Sequence, residues 1–394
     1  MYTAALIVNP NSQKIWGVEC KVRLERQLKS IGIDNVVSDR SELSQFPRVL
    51  IVSGDFVFET TTLKSLLSHS QVTLLSRQNE IAAALVTPKF LDLAIEAVSS
   101  GTNIKNNLIK SLKVDLIDTF DPELRKTTDL IAERISTSEL TDLESRLYGN
   151  AYKGITDLVT KWWWPKLAKV AVRLCSRAQI SPNLVTGTGI ALVIAATVLF
   201  AQGDFVLGLL CGWLMTFLDT VDGKLARVTV RSSKLGHIMD HGIDILHPPF
   251  WYFYWGSSAA GTSLLGISME IWFSTLIGGY IIGRIVEGMF HALGHCSIFA
   301  WRPFDAWSRL ITARRNPCLI ILTLALLLGN PSLGFAAVTI WTFFSTVILI
   351  LRLLQGIRAR LRLGPLNSWL QSEKDCNKYP LSYRVFSRTN PAYE

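Results

Sequence analysis

The sequence predicts a mainly α membrane protein, a bundle of six transmembrane helices preceded by a soluble α/β domain. Two observations carry this. Residues 183–355 hold several long apolar runs separated by short polar breaks, and roughly 20 apolar residues suffice for a helix to cross the bilayer core. Residues 1–160 carry charges throughout and alternate strand-like with helix-like patterns, the mark of a sheet covered by helices. The hydrophobic share of 49% over 394 residues is therefore unevenly spread.

Composition narrows the function classes. The net charge is +9, which alone would suit nucleic acid. The cations, however, cluster beside apolar segments, as in KWWWPKLAKVAVRLCSR (161–177) and IRARLRLG (357–364). Such clusters meet anionic headgroups at the cytoplasmic leaflet, so no nucleic acid is expected as a partner. The six cysteines are scattered with no CxxC pair, which argues against a disulfide framework or a zinc site. The first residues, MYTAALIVNPNSQ, lack a basic leader, and Asn9 and Pro10 interrupt the short apolar run. The expectation is that no signal peptide is present and that residues 1–160 stay cytoplasmic.

In chain order, AALIVN (4–9) reads as a strand, residues 18–32 as a helix, and RVLIVSGDFVF (48–58) as a second strand. TTLKSLLSH reads as a helix, 72–76 and 81–87 as strands, and PKFLDLAIEAVSSG as a helix opened by Pro and closed by Gly. A mostly parallel sheet follows, with this domain at 1–115. Residues 116–160 are polar and helix-prone, a connector. The membrane domain runs over 161–362 and a cytoplasmic tail over 363–394. It opens with 161–177, whose three tryptophans and interleaved cations suit a helix lying at the membrane interface.

Six spans are expected at about 183–202, 205–227, 235–257, 270–293, 317–329 and 332–354. The loops 201–204, 257–269 and 329–332 contain no Lys or Arg. The other side carries Lys161, Lys166, Lys169, Arg173, Arg177, Arg231, Lys234, Arg302, Arg309, Arg314, Arg315, Arg358, Arg360 and Arg362. The positive-inside rule then puts both termini in the cytoplasm, in a bacterial inner membrane or its equivalent.

The second span ends in CGWLMTFLDTVDGKLARV and the third opens with LGHIMDHGIDIL. Asp219 and Asp222 are spaced i, i+3, and Asp240 and Asp244 i, i+4, so each pair shares a helix face. Antiparallel neighbours joined by a short loop bring the two faces together. An Asp at a helix centre costs roughly 2.5–3.5 kcal/mol to insert, and four like charges repel. A divalent cation offsets both penalties, and an all-oxygen ligand set favours Mg²⁺ or Mn²⁺ over zinc. Gly223 and Ala226 leave backbone open beside Asp222, Arg227 offers a planar fork for phosphate oxygens, and Gly236 allows a tight approach to the third span. Metal, Arg and a small-residue groove describe a pyrophosphate site.

The run Asp219-x2-Asp222-Gly223-x2-Ala226-Arg227-x8-Gly236-x3-Asp240-x3-Asp244 resembles the CDP-alcohol phosphatidyltransferase signature at all eight of its fixed positions. The likeness covers roughly 160–360. It implies a six-helix core with a cytoplasmic active site, often dimeric, in phospholipid biosynthesis. A phosphatidyl or other phospho-alcohol group would pass from a CDP-activated donor, CDP-diacylglycerol or a related CDP-alcohol, to an alcohol or polyol (phosphate) acceptor, with release of CMP. By the resemblance, Asp219, Asp222 and Asp240 bind metal. Asp244 is the general base and also touches metal, and Gly223, Ala226, Arg227, Ser233 and Gly236 line the donor site. Pro182, Asn183 and Thr186 match the segment that meets the cytidine.

Other residues have two readings each. Arg284 and Glu287 lie one turn apart in the fourth span, either a self-compensating pair or readers of the acceptor. Arg302, Arg309, Arg314 and Arg315 either anchor the cytoplasmic side or hold a phosphorylated acceptor. His237, His241 and His247 lie near the acids, but the signature completes its ligand set without them. Pro248 and Pro249 are expected to kink the third span. The first domain resembles a weakened sugar-phosphate nucleotidyltransferase. The Gly-rich, basic loop such enzymes need after the first strand is replaced by IVNPNSQKIWG, and Asp55 is either a remnant ligand or a turn residue. The domain therefore reads as a degenerate regulatory or docking module. The rival functions are a bifunctional cytidylyltransferase/CDP-alcohol transferase and a non-enzymatic divalent-cation transporter.

Overall fold

The fold, obtained as a computed structural model, describes residues 3–75, 78–102, 109–117, 120–128, 130–136, 138–294 and 296–387. The first half builds one six-stranded sheet. Its strands lie side by side in the order Val36–Val37, Thr3–Val8, Arg48–Ser53, Ile81–Val86, Val72–Leu75 and Lys110–Lys113. The expected 48–58 strand divides at a Gly54-Asp55 turn, and Phe56–Phe58 leaves to pair with Ala132–Arg134. The sheet is mostly parallel, as expected, with one exception: Ile81–Val86 runs antiparallel to both its neighbours. The reason is connection length, since the few residues between Val72–Leu75 and Ile81–Val86 permit a hairpin but no crossover helix.

Alternation along the strands decides the two faces. Ala5, Leu50 and Val52 pack with Leu24 and Leu28 of helix α1 (Cys20–Ser30) and with Leu63 and Leu66 of α2 (Thr60–Leu66). Ala4, Val49, Ile51 and Ala84 point the other way, onto Ala94, Ile95 and Val98 of α3 (Leu91–Ser100). Residues 121–135, helix-prone by composition, instead supply two short strand pairings. Asp121 starts a turn by accepting from the Glu123 and Leu124 amides at 2.8 and 2.9 Å, which competes with helix there. Helix α4 (Leu140–Asn150) follows.

In α5 (Trp164–Arg177), Leu167, Val170 and Leu174 form an exposed apolar stripe, with Trp162 and Trp163 exposed just before it. That is the surface of an interfacial helix. Four helices are long and apolar enough to cross a membrane: α6 (Pro182–Ala201), α7 (Phe205–Val228), α9 (Met269–Gly294) and α12 (Pro331–Leu363). Between α7 and α9 runs α8 (Lys234–Ala259), a 26-residue helix whose first half carries Asp240 and Asp244 and whose middle contains Pro248 and Pro249 without a break. Helices α10 (Pro303–Ile311) and α11 (Arg315–Leu327) meet at 42° and together make a fifth candidate span.

Small residues bring the helices close. A Cβ at Gly208 of α7 would lie 2.4 Å from the Phe200 ring of α6, and one at Gly256 of α8 would lie 2.6 Å from Phe335 of α12. The N-terminal α/β region is docked on these helices. Arg23 of α1 donates to the Val228 carbonyl and Arg26 to that of Thr229 at 2.9 Å, capping the C-terminal end of α7. The loop after the first strand buries Trp16, whose carbonyl accepts from Ser176 of α5. Gly17, at φ +68°, sits so near Ser176 that a Cβ would come within 2.8 Å of its carbonyl oxygen.

Candidate metal and nucleotide site

The loop between α7 and α8 is tight, and its geometry explains why the two acid-bearing helices face each other. Ser233 caps α8, accepting from the Gly236 amide at 3.0 Å, and donates to Asn183 Oδ1 of α6 at 3.1 Å. Gly236 makes room for this contact, since a Cβ would stand 2.5 Å from that same Asn183 oxygen and the side chain would have to move. Three residues that the signature assigns to the donor thus converge from two helices. Replacing Gly236 by Ala is expected to push the Asn183 amide away and break the Ser233–Asn183 bond. Losing one such bond costs about 1 kcal/mol, so the Michaelis constant for the nucleotide donor should rise about fivefold with little change in kcat. Unchanged donor kinetics would show that this contact is incidental to binding.

Asp219, Asp240 and Asp244 come together, with one carboxylate oxygen from each lying within 4.8 Å of the others. Asp222, one turn beyond Asp219, is buried and accepts from Thr186 Oγ1 at 2.6 Å, which ties α7 to the start of α6. Arg227 is exposed and donates to the Gly223 and Ala151 carbonyls, both at 3.1 Å. Ala226 lies on the same turn, its carbonyl accepting from the Arg231 amide at 2.8 Å. Lys224 is buried, with its ammonium 4.0 Å from the centre of the Tyr152 ring, a cation–π contact.

The residue that sequence reading assigned to the wrong company is Arg315. It belongs to α11, not to a free loop, and it bridges the acids: Nη2 meets Asp219 Oδ2 at 2.5 Å, and Nη1 pairs with Asp244 Oδ1. A signal was available. Arg314 and Arg315 occupy the N-terminal end of an apolar helix, where the dipole disfavours cations; only nearby acids make such a placement favourable. Tyr280 was also missed. Its hydroxyl donates to the Ile245 carbonyl at 2.9 Å and fixes α9 against α8 beside Asp244.

A second cluster lies next to the first. Arg284 Nη2 meets Glu287 Oε1 at 2.6 Å, and Arg314 pairs with the other oxygen of Glu287. Arg309 and Arg314 both stack on Phe299, at 5.4 and 5.8 Å. Nε and Nη1 of Arg309 are buried and meet no hydrogen-bond partner among the described residues. Arg302 goes elsewhere, to Asp375 at 4.0 Å. Of the histidines, His237 and His241 stack at 6.0 Å, while His247 is buried against Trp251 and bonds the Ile243 carbonyl at 2.5 Å, a structural position. Asp55 is a turn residue with Asn11 at 3.5 Å and Arg134 at 4.0 Å.

The donor set suits a hard divalent ion. It is all oxygen, and such ions hold their ligands at about 2.0–2.6 Å, so opposite oxygens stand on the order of 4–5 Å apart, close to the spacing here. The Arg315 guanidinium lodged between two of the acids reflects the same demand for positive charge.

Long apolar helices and a cluster of three carboxylates that could hold a cation mark an integral membrane protein with a candidate metal site. Residues 179–354 match the model of the CDP-alcohol phosphatidyltransferase family. An archaetidylinositol phosphate synthase of Pyrococcus horikoshii is 33% identical over 105 residues, covering 26% of this chain and 52% of that protein. A phosphatidylinositol phosphate synthase of Streptomyces avermitilis is 41% identical over 69 residues, 17% and 28% of the two chains. Cholinephosphotransferase 1 of Xenopus laevis is 30% identical over 126 residues, 29% and 30%. The chain thus spans between about a quarter and a half of the length of these relatives.

Proposed function

We propose that this protein transfers a phospho-alcohol group from a CDP-linked donor to an alcohol, releasing CMP. The observation that carries the proposal is the convergence of Asp219, Asp240 and Asp244 beside the Asn183–Ser233–Gly236 contact. Asp219, Asp222 and Asp240, with Asp244, would hold Mg²⁺ or Mn²⁺, which supplies charge neutralisation for the pyrophosphate. Asn183, Thr186 and Ser233 orient the cytidine end, and Gly223, Ala226 and Arg227 face the phosphates. Asp244 accepts the proton of the attacking hydroxyl as the oxygen bonds to phosphorus and the bond to CMP breaks.

The neighbouring arginines support a phosphorylated polyol as acceptor. Arg284, Arg309 and Arg314 outnumber Glu287, and the buried, unpartnered atoms of Arg309 are donors suited to a phosphate. Loop charge and the length of α8 support six spans, with α8 the third and the site at the cytoplasmic face. The soluble domain serves as a docking module, in keeping with the Trp16 loop being committed to α5 rather than open to a triphosphate.

The test is CMP release by the purified chain in detergent, with CDP-diacylglycerol and a panel of inositol, glycerol and choline acceptors, free and phosphorylated. Turnover should vanish in EDTA and return with Mg²⁺ or Mn²⁺. Release of no CMP from any CDP-linked donor, or full turnover in EDTA, would sink the reading.

A further inference from the structure

Three stretches outside the matched domain meet at the end of α7. A hairpin pairs Phe120–Asp121 with Lys126–Thr127. Residues 151–157 cross it, the Gly154 amide donating to the Leu124 carbonyl at 2.8 Å. A Cβ at Gly154 would lie 2.3 Å from the Phe386 carbonyl and 2.6 Å from Lys126 Cβ, so no larger residue fits. The third piece is the segment near residue 387, whose Ser387 carbonyl accepts from Thr127 N at 3.0 Å and Thr127 Oγ1 at 2.8 Å. The assembly is pinned to the bundle by Asp157, which accepts from Asn316 Nδ2 at 2.9 Å, one residue from Arg315.

This cap lies directly on the signature helix. The Ala151 carbonyl accepts from Arg227 at 3.1 Å, and the Tyr152 ring covers the Lys224 ammonium. Tyr152 is itself held by the Tyr148 hydroxyl at 2.8 Å. Lys153 is therefore flanked by two residues that touch the helix carrying Asp219 and Asp222. Its side chain is solvent-exposed, yet the surrounding protein pushes its ammonium down to about 8. Arg125 and Arg227 add to that fall, and Asp219 and Asp240 oppose it. The position follows from its flanks: Ala151 and Tyr152 lie on Arg227 and Lys224 of α7, a few residues past Asp222, so an exposed, flexible side chain at position 153 stands at the edge of the acid-bearing helix.

We propose that Lys153 is a substrate-binding residue of the transferase site, reaching from the cap to the pyrophosphate of the cytidine nucleotide. The inference rests on the site being one for a CDP-linked donor. Lys153 lies outside residues 179–354, so the cap completes a phosphate cradle that the transferase domain alone does not. A flexible ammonium suits this position, since it serves as a point charge for whichever phosphate oxygen faces the cleft.

The experiment is calorimetric titration of the full chain, in detergent with Mg²⁺, using cytidine, CMP and CDP as probes. Wild type should bind CDP more tightly than CMP. Lys153→Met should weaken CDP about tenfold, the worth of one charge-assisted hydrogen bond, and leave cytidine unchanged, while Lys153→Arg keeps most of the CDP affinity. CDP binding by Lys153→Met equal to wild type would overturn the inference while leaving the transferase reading intact. Parallel loss of cytidine and CDP affinity together with an earlier thermal transition would also overturn it, by making Lys153 a prop of the cap. Wild type that binds none of the three probes would remove the nucleotide site itself.

Discussion

Asp244→Asn is expected to lower CMP release about a thousandfold while CDP binding stays within a few-fold of wild type. A positioned general base contributes roughly 10²–10⁴ in rate, and Asn keeps the shape of the side chain while losing its basicity. Arg315 would still be held by Asp219, so the fold should survive, which circular dichroism and size exclusion check. A residual rate within a factor of ten of wild type would mean that the hydroxyl attacks with little base assistance, as in a loose phosphoryl-transfer path. The distinguishing measurement is single-turnover CMP release at saturating donor.

Arg315→Met should have the second large effect, on stability. Its side chain is 13% exposed and pairs with Asp219 and Asp244, whose side chains are 22% and 40% exposed. Removing one member of a buried pair leaves the other charge uncompensated, at a cost of about 3–5 kcal/mol. The partial exposure of Asp244 places the expectation at the lower end of that range, or a fall of about 4 °C in melting temperature for a chain of 394 residues. Because the uncompensated charges are carboxylates, Mg²⁺ should restore much of the loss, and the Mg²⁺-induced shift should be larger in the variant than in wild type. A variant that melts like wild type in EDTA would show that the guanidinium does not neutralise the site.

How much of this was legible in the sequence differs by element. The acids could be read because two facts coincide: helical spacing puts each pair on one face, and charge in an apolar segment demands a partner. Gly236 was read as permitting a tight approach, and its neighbour turns out to be Asn183. Arg315 was weighed only as a topological anchor or a phosphate holder; its carboxylate partners lie 96 and 71 positions away, and the helix-end signal was passed over because a basic residue beside a span already has an adequate explanation in topology. The one antiparallel strand of the sheet, Ile81–Val86, was missed for a related reason. Strand periodicity reports burial and not direction, and the short hairpin between Val72–Leu75 and Ile81–Val86 was the cue that was passed over. The 121–135 stretch shows the limit of propensity, since Ile131 is fully buried and its segment pairs with Phe56–Phe58, a tertiary preference that composition does not carry.

The contact between Thr127 and the Ser387 carbonyl has a consequence for biogenesis. It joins positions some 260 residues apart, so it stays unmade while the ribosome is still feeding helices into the bilayer. The hairpin at residues 120–127 therefore completes its packing only once residue 387 has emerged and folded back.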